Sequence, residues 1–153
     1  MLKTVHVLSV TLFFGAGLGS VLLKLAADRS KEPRVVAFAH RTVVLADWVF
    51  TIPSAVLLPT TGAAMVAIAG LEWRAGWVAW GLVLYAIAGC CWLPAWRLQF
   101  RMAAAADAWA RDGTPLPPQF QRWTRTWALL GIPAFLAVVG AVYVMVAKGF
   151  AVG

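Results

Sequence analysis

The side chains of this sequence best placed to do chemistry are His6, His40 and Asp47, with Met65 and Met145 as soft partners. His6 lies in a stretch from Thr4 to Leu23 that holds no Asp, Glu, Lys or Arg. An imidazole in so apolar a run is a functional candidate by default. In its neutral form it can ligate haem iron, copper or zinc, or relay a proton. Helical spacing puts Val10, Phe13 and Gly17 on its face, an apolar wall with a gap. The plainer reading is an interfacial histidine bonded to a backbone carbonyl or a lipid headgroup. Haem iron would need a second ligand at the same depth. Met145 sits level with His6 if the last span runs antiparallel to the first, and Met65 lies about one turn deeper; His/Met axial ligation is a recognised haem arrangement.

His40 falls near the other end of the first span, so the two histidines cannot share one metal. The first helix climbs roughly 25 Å between His6 and Leu23. His40 and Asp47 are seven residues apart and share a helix face, with Arg41 adjacent. A carboxylate there can orient the imidazole or extend a proton path. It can equally be a snorkelling interfacial cluster in which Asp47 pairs with Arg97 or a neighbouring arginine. Beyond it, Pro53 and Pro59 release the carbonyls of Val49 and Ala55 from helical bonding. Thr51, Ser54, Thr60 and Thr61 stand close enough to help re-satisfy that backbone, and Gly62 follows. Broken spans of this kind line substrate or ion sites, or are kinked packing helices.

The elements that must position these residues follow from composition. Hydrophobic residues make up 62% of the 153 positions and charged residues 12%, about half the charge of a soluble domain. Such a chain cannot cover its core with polar surface and needs lipid as solvent. Its +7 net charge punctuates apolar runs instead of forming a basic, aromatic-laced patch, which excludes nucleic acid as a partner. No nucleophile–base set, phosphate loop or paired catalytic carboxylates occur, which sets aside hydrolase and kinase chemistry. Cys90 and Cys91 are adjacent, poor geometry for a disulfide, and read as small buried packing residues.

Four windows lack formal charge: residues 4–23, 48–71, 75–96 and 126–147. Each is long enough to cross about 30 Å of hydrocarbon. The expected fold is all-α, one membrane domain of four transmembrane helices, the second and third joined tightly around Glu72-Trp73-Arg74. The first apolar run is too long for a cleaved signal and is taken as a retained span. Lys24, Arg29, Lys31, Arg34 and Arg41 fill the first connection, and Arg97, Arg101, Arg111, Arg122 and Arg125 the third; only Lys3, Arg74 and Lys148 lie opposite. The positive-inside rule then puts both long connections in the cytoplasm, against anionic lipid, and both termini outside. Trp48, Trp96, Trp123 and Trp127 would belt the inner interface and Trp73 and Trp77 the outer one.

The connections are themselves helical. Leu98, Met102, Ala105 and Trp109 form a helical stripe that should run to Gly113 before Pro115, Pro117 and Pro118. Pro33 suits the first turn of a helix passing through Val43 into the second span. Gly15 and Gly19 make a small-residue pair suited to close helix packing.

The stretches Leu2–Ser9 with Phe14-Gly15-Ala16-Gly17, Arg41–Pro53 and Cys91-Trp92-Leu93-Pro94 resemble a family of predicted bacterial integral membrane proteins, DUF2269. The likeness runs along nearly the whole chain and implies a multi-pass protein of the bacterial inner (plasma) membrane. A more distant likeness is to HemJ-type and CopD-like four-helix membrane proteins, through a first-span histidine followed by small residues and a second span similar to Pro53–Gly62. In the HemJ type that histidine is associated with b-type haem, which maps onto His6. The basic Pro-Arg end of the first span and the Trp-His-Lys cluster of the third are replaced here, the latter by Leu93-Pro94-Ala95-Trp96-Arg97. Three functional expectations result: a haem b bundle in a redox or electron-transfer role with His6 as ligand, a transporter or metal-handling protein with Asp47, Pro53, Thr60 and Thr61 along its path, and an anchor or assembly subunit holding a protein partner or a second copy.

Overall fold

Runs free of charge become helices because, in lipid, each backbone N–H and C=O must find its partner within its own segment. The computed structural model describes residues 1–74 and 76–147. Its elements are α1 (Leu2–Ser30), α2 (Pro33–Ala46), a π-turn (Asp47–Thr51), α3 (Ile52–Ile68), α4 (Gly76–Asp112) and α5 (Phe120–Ala147). α2, the π-turn and α3 run on as one 36-residue rod, so four rods are long and apolar enough to cross a membrane. Ala75 and Lys148, used above for a span limit and for the charge tally, lie outside the described residues.

The chain breaks where its backbone chemistry dictates. Lys31 ends α1 in the left-handed region at φ 55°, and Pro33 starts α2 at a position where its missing N–H costs nothing. Gly70 takes φ +62° in the turn before α4. Gly113 takes φ +73° and its N–H caps Trp109 O at 3.2 Å. That is the stop expected for the amphipathic extension of the third span.

Proline shapes the second rod. Ahead of Pro53 the helix widens for one π-turn, with Ile52 N bonding to Asp47 O. At Pro59 the freed Ala55 carbonyl receives the Tyr85 hydroxyl from α4. The threonines take another course than expected: Thr60 bonds Val56 O and Leu57 O, Thr61 bonds Leu57 O and Leu58 O, and none reaches Ala55 O. Tyr85→Phe should therefore strand a carbonyl and lower stability by about 1–2 kcal/mol. Thermal unfolding in detergent of Tyr85→Phe beside the lipid-facing control Tyr143→Phe reads that difference.

Packing is inside-out by the standard of a water-soluble protein. Leu22, Leu129, Ile68 and Val146 are largely exposed, while Ser9, Ser20, Lys24, His40, Asp47, Thr51, Ser54 and Gln99 are buried. That inversion suits a bundle whose outer solvent is hydrocarbon. α4 and α5 pack along each other: a Cβ on Gly81 would stand 2.9 Å from Met145 Cε, so a larger residue there would need the flexible methionine tip to shift. Phe14 meets Phe135 edge-on at 5.1 Å, tying α1 to α5. The main buried apolar cluster lies in the connections, where Val36 and Ala37 of α2 pack on Ala106, Trp109 and Ala110 of α4. Two packing expectations change. Gly15 and Gly19, on one face of α1, meet nothing within 4 Å and border an open recess between α1 and the second rod, and Cys90 is exposed.

Candidate polar seam and basic-end cluster

α1 packs along α2, the π-turn and α3, and this seam collects most of the buried polar groups. On the second rod Asp47, Thr51 and Ser54 recur at four- and three-residue steps and are at most 5% exposed. Thr61 continues the same face two turns on. On α1 the buried members are Ser9, three residues after His6, and Ser20, four before Lys24. The four- and three-residue steps carry each set along one helix face.

At the basic end, Lys24 is 1% exposed and its partners are weak. Its ammonium donates to Met102 Sδ at 3.8 Å and sits 3.7 Å from the centre of the Trp127 ring, with Asp28 and Asp47 as the carboxylates acting on it. Thr124 donates to the same sulfur at 3.6 Å. Asp47 accepts from Thr51 and from the Gln99 amide, whose oxygen accepts the Trp127 indole N–H at 2.9 Å once the amide is oriented to suit both neighbours. Four rods thus converge on one carboxylate and one ammonium. A cation–π face and a thioether give a buried ammonium far less than water would.

At the opposite end His6 Nδ1 lies 2.8 Å from Thr61 Oγ1. Thr61 has one proton, and its hydroxyl is placed to give it to Leu57 O or Leu58 O. Nδ1–H is then the donor, which leaves Nε2 as the nitrogen for any further exchange. The ring lies beside Gly62 of α3, where an added Cβ would meet His6 Cε1 in ordinary contact at 3.5 Å. Lys24 and His6 are 18 residues apart on one helix, about 27 Å.

The expected candidates separate. His6 and Thr61 come together, and Asp47 is central. Asp47 pairs with Gln99 and Thr51, not with Arg97, which is exposed. Arg41 turns to Asp107 on α4 at 2.5 Å, a surface pair worth at most about 1 kcal/mol. His40 lies nearest Asp28, 3.7 Å away, not Asp47. Pro53 and Thr60 face outward, Met65 is half-buried on α3, and Met145 packs its methyl against Gly81. Trp127 serves the cluster from within, where a place in the interfacial belt was expected. Lys24, Gln99, Tyr85 and Asp28 were not foreseen. The signal for Lys24 was a charge immediately following an uncharged window, and for Gln99 a lone amide on the buried stripe of α4.

Residues 1–149 match the family described as predicted integral membrane protein (DUF2269), and the chain belongs to it. No curated protein and no solved structure matches, so no comparison carries the likeness to HemJ-type or CopD-like proteins.

Proposed function

We propose that this member of the family is a membrane transport protein that passes protons along the α1–α3 seam, between Asp47–Lys24 and His6–Thr61. The observation that carries the reading is the burial of Asp47, Thr51 and Ser54 on one face of a rod whose neighbouring Trp48, Val49, Phe50, Val56 and Leu57 are exposed and apolar. Ionisable groups inside a membrane bundle are expensive and mark ion and proton paths. Lys24 decides the cargo. A fixed ammonium beside the path repels alkali and divalent cations, which weighs against metal handling, whereas a proton can pass between hydroxyl, carboxylate and imidazole groups in turn. The Pro59-freed Ala55 carbonyl and the Tyr85 hydroxyl lie in the interval between Ser54 and Thr61. The test is proteoliposomes with an internal pH dye and a valinomycin-set potassium potential. Acidification should exceed that of protein-free vesicles and persist in Thr60→Val, whose side chain faces outward. Equality with empty vesicles would remove the proposal.

A second reading, b-type haem at His6, has one observation in its favour. Thr61 engages Nδ1, the arrangement that orients a histidine ligand and presents Nε2. Met145, whose methyl rests against Gly81 in the α4–α5 seam, is the second axial ligand this reading names, with Met65 of α3 as the other soft candidate. When bound, haem would supply one-electron chemistry, and His6 and Thr61 would hold and orient it. Protein from haem-replete cells should then show a Soret band that His6→Ala removes; a colourless wild type ends this reading.

A further inference from the structure

Between α1 and the second rod lies an open recess of about 410 Å³, lined from Thr11 to Leu23 on one side and from Thr42 to Phe50 on the other. We propose that it binds an uncharged single-chain lipid whose head carries a hydrogen-bonding oxygen, with Ser20 receiving that head. The site is independent of proton passage along the seam. Glycine makes the trough. Leu12, Gly15, Gly19 and Leu23 follow one another at three- and four-residue steps on one face of α1. A Cβ on Gly15 or Gly19 would meet nothing within 4 Å, while Leu12 and Phe50 stand exposed at the rim.

The hydroxyls of the lining supply an independent observation. Thr11 donates to Val7 O at 3.0 Å and Thr42 to Phe38 O at 2.8 Å, each spending its proton on its own helix. Ser20 does not. It is 7% exposed and lines the recess, yet its hydroxyl has no hydrogen-bond partner among the described residues. Ser9, also buried on α1, bonds Val5 O at 2.8 Å, so bonding back to the preceding turn is open to a serine of this helix. A buried hydroxyl left unpaired is costly, and an oxygen of a ligand in the recess would relieve it.

Charge, size and depth choose the occupant. No ionisable side chain is among the described residues of the lining, so nothing there compensates a carboxylate or phosphate. The volume falls in the roughly 300–1,000 Å³ range of small-molecule sites. A helix, about 10 Å across, would lie over the rim and leave the interior empty. Thr11 falls near the middle of the uncharged run 4–23 and Leu23 ends it. Those twelve residues rise roughly 18 Å, about the depth of one leaflet of a bilayer core near 30 Å thick. Ser20 stands toward the interfacial end, one turn before Lys24. A chain with its oxygen at Ser20 and its tail toward Thr11 therefore lies as the lipids of that leaflet lie.

The test places the whole protein in phosphatidylcholine nanodiscs with hexadecanol carrying a diazirine on its chain as the photoreactive probe. Mass spectrometry should find a saturable label on residues 11–23 of α1 and 42–50 of the second rod. Unlabelled hexadecanol should compete about three- to tenfold more effectively than hexadecane, the worth of one hydrogen bond. Ser20→Ala should bring the two competitors level. Gly15→Leu/Gly19→Leu should abolish the label by filling the trough. Both new side chains enter open space, so helical circular dichroism should equal wild type. A label that does not saturate, that survives the double leucine variant, or that hexadecane displaces equally in wild type marks bulk lipid contact only and overturns the site. Absence of label from a wild-type dimer that the leucine variant splits into monomers assigns the face to a second copy, and overturns it too.

Discussion

Asp47→Asn should reduce proton flux to the level of protein-free vesicles while leaving the protein folded. Asparagine keeps the size of the side chain and an oxygen that can accept from Thr51 and Gln99, so the convergence of the four rods persists. What it loses is the ability to take up and release a proton, the property general proton transfer needs of a group on the path. Asp47→Glu should recover part of the flux, because the ionisable group returns on a longer stem. The pattern separates transport from scaffolding. If Asp47 served only to hold Gln99 and Lys24 in place, Asn would be the milder change and Glu the more disruptive one. Dye acidification rates for the three proteins, at matched reconstitution density, give the ordering.

Gln99→Leu is the substitution expected to cost the most stability, about 2–5 kcal/mol. Its amide bridges a carboxylate oxygen of Asp47 and the indole N–H of Trp127. Leucine leaves both unpaired at a position 4% exposed, and each buried orphan costs roughly 1–3 kcal/mol. The loss extends to Lys24, whose ammonium rests on the ring that Gln99 orients. Gln119→Leu, at an exposed site, is the control and should change stability by less than about 0.5 kcal/mol. Unfolding in mixed micelles, followed by tryptophan fluorescence and circular dichroism, measures both.

The spans were legible because their signal is collective. Some twenty uncharged residues in a row announce a helix in lipid whatever their neighbours are, and Gly113 and Pro33 mark helix ends through backbone chemistry alone. The site was legible only where a residue is unusual in itself. His6 stands out inside an apolar run and Asp47 at the edge of one, and both lie on the seam. Their partners depend on how rods pack, which a one-dimensional pattern does not carry. Asp47 finds Gln99, 52 positions away, because α2 lies along α4; charge counting alone offered Arg97. Lys24 looked like one more orientation signal, since positive charge at a span end is common. Its burial comes from α4 and α5 closing over it with Met102 and Trp127. Thr60 and Thr61 are adjacent in sequence, yet one faces outward and the other meets His6, a difference of 100° around one helix.

Voltage-clamp recording across a planar bilayer holding the purified protein, with a pH gradient as the only asymmetry, tests the proton path most directly. The reversal potential should move by about 59 mV per pH unit and be indifferent to replacing potassium with sodium, and the current should vanish in Asp47→Asn. A wild-type bilayer that carries no current above the bare membrane, or a current whose reversal follows the alkali cation, would contradict it.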